Sequence, residues 1–118
     1  MSKVKEIVAM GLGAGKEEAT LYKKFVHSLE NLQAYVGGYI EAIRLGEDMV
    51  IWLNEEGKLQ NLEPNFSLTD REGVPYDLVV GNVLITGVSK AGEAVSLSDK
   101  QIKEIEKRFL SRNHLNMF

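Results

Sequence analysis

The chain contains no cysteine. That absence excludes disulfides, thiolate catalysis and zinc sites built on cysteine. Histidine is nearly absent too: His27 and His114 stand far apart, which leaves little for a histidine-based metal centre. The two prolines both fall between Pro64 and Tyr76. Neither sign of charge is in large excess, since 14 basic against 17 acidic residues give a formal −3. So small a charge neither advertises a polyanionic partner nor mimics a nucleic acid. No apolar run approaches the length of a membrane span, and Lys3, Lys5 and Glu6 interrupt the apolar residues of the first ten positions. The expectation is an intracellular, redox-indifferent, cytoplasmic protein.

What is present is ordinary for a globular domain. In 118 residues, 44% are hydrophobic and 26% charged, enough for one core and one domain. Apolar spacing then divides the chain. Val4 to Met10 reads as a strand that Gly11, Gly13 and Gly15 break, and Ala19 to His27 as a second strand. Ser28 caps a short helix carrying Leu29, Leu32, Tyr35 and Val36 at helical spacing, and Gly37-Gly38 ends it. Tyr39 to Leu45 and Asp48 to Leu53 form a hairpin about Gly46-Glu47. Glu56-Gly57 predicts a second turn with positive φ at the glycine, leading into a brief strand over Lys58 to Leu62. Pro64 to Tyr76 reads as the longest loop. Asp77 to Val88 reads as one central strand with a bulge at Gly81. Ser98-Asp99-Lys100-Gln101 matches a capping box, and Ile102, Ile105 and Phe109 continue it as an apolar stripe. The expected fold is α+β: a single sheet of about five mainly antiparallel strands, packed by a C-terminal helix and a short helix in the N-terminal half.

The motifs that suggest chemistry are weak. Gly11, Gly13 and Gly15 followed by Lys16 invite a phosphate-loop reading, but three residues separate Gly11 from Gly15 and Glu17 follows the lysine, so the Walker spacing fails. A flexible turn is the simpler reading. Glu17-Glu18 and Glu55-Glu56, with Glu41, Asp48 and Asp77, can in principle supply an acid and a base. Adjacent strand residues point to opposite faces, however, which makes a solvated turn the better reading of Glu55-Glu56. Lys23-Lys24 beside Tyr22 and Phe25 pair cations with aromatic rings, as a nucleic-acid surface does. In a net-negative chain they read instead as a polar strand face, and no direct nucleic-acid binding is expected. Leu115, Met117 and Phe118 make an apolar tail that suits a homodimer contact.

Five segments taken together carry a resemblance: Val36 to Glu41 (VGGYIE), Asn54 to Leu59 (NEEGKL), Pro64-Asn65, Tyr76 to Asn82 (YDLVVGN) and Ser96 to Asp99 (SLSD). In order and spacing they resemble a family of small bacterial, phage and plasmid proteins grouped as domain of unknown function 3846. The resemblance covers roughly Ser28 to Phe109. It divides the chain into variable N-terminal strands over 1–27, a family core over 28–112 and the tail at 113–118. It implies a strand pair leading into the Ser28 helix. It carries no catalytic residue and no cofactor, and it implies an accessory role in mobile elements, where such proteins block a host defence.

The expected function is therefore a non-enzymatic accessory protein of a phage or mobile element that binds a host protein effector. A second expectation is sequestration of a nucleotide-like signal by Arg44, Lys58 and Arg71 with the rings of Tyr39 or Trp52. A third is a metal-dependent enzyme acting through Glu41 or Glu55. Asn54 and Asn65 have two readings, bonding backbone across a turn or offering an amide to a ligand. Tyr39, Glu41, Arg44, Trp52, Asn54, Glu55, Glu56, Asn65 and Arg71 are the binding candidates.

Overall fold

The computed structural model describes residues 5–15, 19–70 and 72–110. Lys16, Glu17, Glu18, Arg71, the Phe109 side chain and the apolar tail lie outside the described residues. The elements run β1 (Glu6–Leu12), β2 (Ala19–Val26), α1 (Leu29–Val36), β3 (Ile40–Leu45), β4 (Met49–Asn54), β5 (Pro64–Thr69), β6 (Pro75–Val80), β7 (Val83–Val88), β8 (Ala94–Val95) and α2 (Asp99–Leu110). The class is α+β, and both helices stand where the capping residues place them. Five strands pair in the order β2-β1-β7-β4-β3, with β8 joining β7 as the sixth, while β5 and β6 form a separate two-stranded sheet. Every pairing among the described strands is antiparallel.

Strand alternation makes the large sheet two-sided. Met49, Ile51 and Leu53 of β4 join Met10, Leu12, Val83 and Ile85 in the main core, which Phe66, Leu68 and Val79 of the hairpin and Ile105 of α2 close from above. Trp52 points the other way, with Ala9 and Leu84, beneath Leu32 and Tyr35 of α1. Each fully buried aliphatic or aromatic side chain in these layers contributes roughly 1.5–3 kcal/mol.

The helix ends follow the sequence. Ser28 is extended, and its Oγ accepts the Asn31 backbone N–H at 3.1 Å. Gly37 closes α1 in the left-handed region at φ 82 and donates its N–H to Gln33 O at 2.8 Å. At α2 the capping box is reciprocal: Gln101 N donates to Ser98 Oγ at 3.1 Å and Ser98 N to Gln101 Oε1 at 2.8 Å.

Five expectations are corrected. Lys58 to Leu62 is not a strand, because its backbone bonds close on themselves: Gln60 N to Glu56 O at 3.0 Å and Leu62 N to Gly57 O at 3.0 Å. Gly57 lacks positive φ, which falls on Asn61 at 53°; Gly57 is required because a Cβ there would lie 2.8 Å from Val80 Cγ2. Pro64 to Tyr76 is no long loop. Its first half is β5, with Phe66 and Leu68 buried, and only a short turn at Asp70 remains, where Asp70 Oδ1 accepts both Glu72 N and Val74 N at 2.9 Å. Asp77 to Val88 is two strands in two sheets: at φ 77 Gly81 turns the chain from the hairpin into the large sheet. Lastly, Gly11 does not break the first strand but continues it, pairing with Thr20 and Leu84.

Candidate functional site

The end of the β3–β4 hairpin opposite its turn gathers most of the candidates. The ladder extends one residue past Asn54, as Glu55 N donates to Tyr39 O at 2.8 Å. Asn54 itself is buried. Its Nδ2 donates to Val36 O at 3.3 Å and to Gln60 Oε1 at 3.2 Å, and its Oδ1 accepts Glu56 N at 2.8 Å. One amide thus holds together the end of α1, the end of β4 and the turn that follows. Of the two readings of Asn54, the structural one is realised in full.

That turn projects between two clefts. One, of about 220 Å³, is lined by Glu41, Asn54, Glu55, Lys58, Leu59 and Leu78 among others. The other, of about 390 Å³, is lined by Gln33, Ala34, Gly38, Tyr39, Glu56 and Gln60. Lys58 Nζ bonds Asp77 Oδ1 at 2.6 Å on the rim of the first. Both groups are substantially solvated, so the pair adds little stability. Among the described residues no basic side chain pairs with Glu41, Glu55 or Glu56. Leu59 is 83% exposed, Tyr39 65% and Leu78 39%.

A family model for a domain of unknown function (DUF3846) matches residues 14–110. The chain belongs to the DUF3846 family. The DUF3846 match starts ahead of β2, so the family extends further toward the N-terminus than the Ser28 limit drawn from motifs alone. No curated protein and no solved structure is significantly similar to the chain. Three of the segments that marked the DUF3846 resemblance, VGGYIE, NEEGKL and YDLVVGN, supply most of the lining of the two clefts.

The remaining candidates are dispersed. Arg44 lies at the hairpin's turn end, in a cleft of about 310 Å³ with Asp48, Met49 and Tyr76, and its Nη1 donates to Glu47 O at 3.2 Å. Trp52 lies on the sheet face that α1 covers, where Nε1 donates to Thr86 Oγ1 at 3.0 Å and the ring stands 5.8 Å from that of His27. Asn65 is buried on β5, its Nδ2 donating to Leu12 O at 3.0 Å and to Gly81 O at 2.9 Å. Arg44, Lys58, Tyr39 and Trp52, grouped above as an anion site, therefore do not converge. Glu41 and Glu55 do share a cleft, although among the described residues no three His, Asp or Glu side chains are placed to hold a metal ion. Tyr22 and Phe25 turn away from Lys23 and Lys24 into the second core cluster.

Leu59 and Leu78 fall outside the site expected from sequence, because both read there as residues of strands that bury one face. A signal existed for Leu59: it is a lone large apolar residue in the polar run from Glu55 to Asn61.

Proposed function

We propose that this DUF3846 domain is a non-enzymatic binding module that holds a protein partner at the end of the molecule formed by Tyr39, the Glu55 to Gln60 turn and Leu78. One observation carries the reading: large apolar side chains stand in water around two adjoining clefts, with Leu59 at 83% exposure. A folded monomer gains nothing from such exposure, whereas an interface buries these residue types at its centre. The buried amide of Asn54 makes the turn a rigid platform, which lowers the entropy lost on binding. The phage and plasmid setting that the family resemblance implies makes a host defence effector the partner, bound in the host cytoplasm, with the domain acting as its antagonist.

Affinity capture from host lysate tests this, with the chain compared against a Leu59→Asp/Leu78→Asp variant of unchanged melting temperature. The expected result is a protein held by the wild type and lost by the variant. Capture that is indifferent to both substitutions, or no capture at all, contradicts the proposal.

A further inference from the structure

The charge around these clefts specifies the partner further, and this step rests on the protein-binding reading above. We infer that the bound segment is basic and apolar: an arginine or lysine adjoining a bulky aliphatic or aromatic residue.

Charge around the clefts is unbalanced. Among the described residues, Glu41, Glu55, Glu56 and Asp77 face one lysine, Lys58, which Asp77 already engages at 2.6 Å. Three carboxylates are left over at one end of a chain whose whole net charge is −3. The C-terminal end of α1 adds to the same sign. Gln33 and Ala34 of its last turn line the larger cleft, and no basic residue in that turn offsets the helix dipole. Tyr39, 65% exposed on the same cleft, presents an aromatic ring on which a cation can rest. Arginine satisfies all of this at once, because its planar fork meets a carboxylate in two places and stacks on a ring.

The adjoining cleft supplies the apolar half of the surface. Leu59 and Leu78 both line it and both remain exposed. The Glu55-Glu56 pair stands between the two clefts, with Glu55 on one and Glu56 on the other. A segment that crosses the turn presents a basic side chain to one cleft and an apolar side chain to the other. The apolar surface supplies affinity, and the carboxylates select the sign of the partner and speed its approach.

Fluorescence anisotropy tests the inference with three labelled 12-residue peptides of one length, alternating Arg/Leu, Ser/Leu and Glu/Leu. The Arg/Leu peptide is expected to bind most tightly and to weaken as salt rises. Glu56→Lys and Leu59→Asp are each expected to lower its affinity about fivefold or more, because each removes one half of the recognition. Glu93→Lys makes the same change of net charge on the distant β7–β8 turn and is expected to leave affinity within about twofold. Equal or tighter binding of the Glu/Leu or Ser/Leu peptide overturns the inference, as does an equal effect of Glu93→Lys, which would reduce the attraction to bulk charge. Concentration-dependent dimerisation abolished by Leu59→Asp also overturns it, since a second copy would then occupy the face. Lysate capture that depends on Leu59 and Leu78, together with any of these results, leaves the binding reading standing and removes only the basic partner.

Discussion

The Oδ1 of Asn54 accepts the backbone N–H of Glu56 at 2.8 Å, inside a residue that is almost wholly buried. The neighbouring Glu55 and Glu56 side chains line the clefts while this amide anchors the backbone that carries them. Anchor and display are therefore separate, which distinguishes two kinds of substitution.

Asn54→Ala strands the partners of three hydrogen bonds, to Val36 O, Gln60 Oε1 and Glu56 N. Its expected cost is about 2–3 kcal/mol of stability, because buried polar groups lose their partners. Glu55→Ala, on an exposed side chain, is expected to change stability by under about 0.5 kcal/mol. Chemical denaturation of the two variants checks this. Equal stabilities would remove Asn54 as the anchor.

Gly11 lies in β1 directly beneath Tyr35, and a Cβ there would stand 2.0 Å from the Tyr35 hydroxyl and 2.9 Å from Tyr22. Burial raises the pKa of that hydroxyl above its ordinary value, with Tyr22 as the second cause. Gly11→Ala is expected to destabilise the fold by about 1–3 kcal/mol through overpacking. Adding Tyr35→Phe removes the nearest clashing atom and recovers part of the loss. A double-mutant cycle of thermal melts reads the coupling; strict additivity would contradict the contact.

His27 packs against Trp52 with its Nδ1 buried and, among the described residues, without a hydrogen-bond partner. Desolvation, and secondarily the charge of Lys5, hold its pKa below the ordinary 6.5. Above that value both folded and unfolded chains carry a neutral imidazole. As pH falls below it, the unfolded chain takes up the proton first, so stability declines until the lowered folded value is reached. Melting temperature is expected to fall on acidification from about pH 6.5, and His27→Gln to remove that part of the decline. Identical pH profiles for the two proteins would contradict the burial of a neutral His27.

Local chemistry made parts of this fold legible. Ser28, Gly37 and the Ser98–Gln101 box bracket two helices as expected, because capping depends on neighbours within four residues. The hairpin of β3 and β4 was legible for the same reason. What failed depended on distant partners. Phe66 and Leu68 alternate as a strand should, but the prolines and Asp70 masked a hairpin whose burial comes from the main core. No local signal separates a bulge at Gly81 from a change of sheet. Gly57 looked like a turn glycine, whereas its requirement comes from Val80, far along the chain. At the site, Tyr39, Glu41, Asn54, Glu55 and Glu56 did come together, since a hairpin end and the turn after it are neighbours in sequence. Leu78 was out of reach because it arrives on β6 from the other sheet.

The central claim is that the Glu55 to Gln60 turn faces a protein partner. Site-specific photo-crosslinking in host lysate tests it most directly, with a photoreactive amino acid placed at Leu59 and, in a second preparation, at Lys24 on the edge strand β2. A discrete adduct from position 59 and none from position 24 is the expected result. Adducts from position 24 alone would put the partner on another surface and contradict the claim.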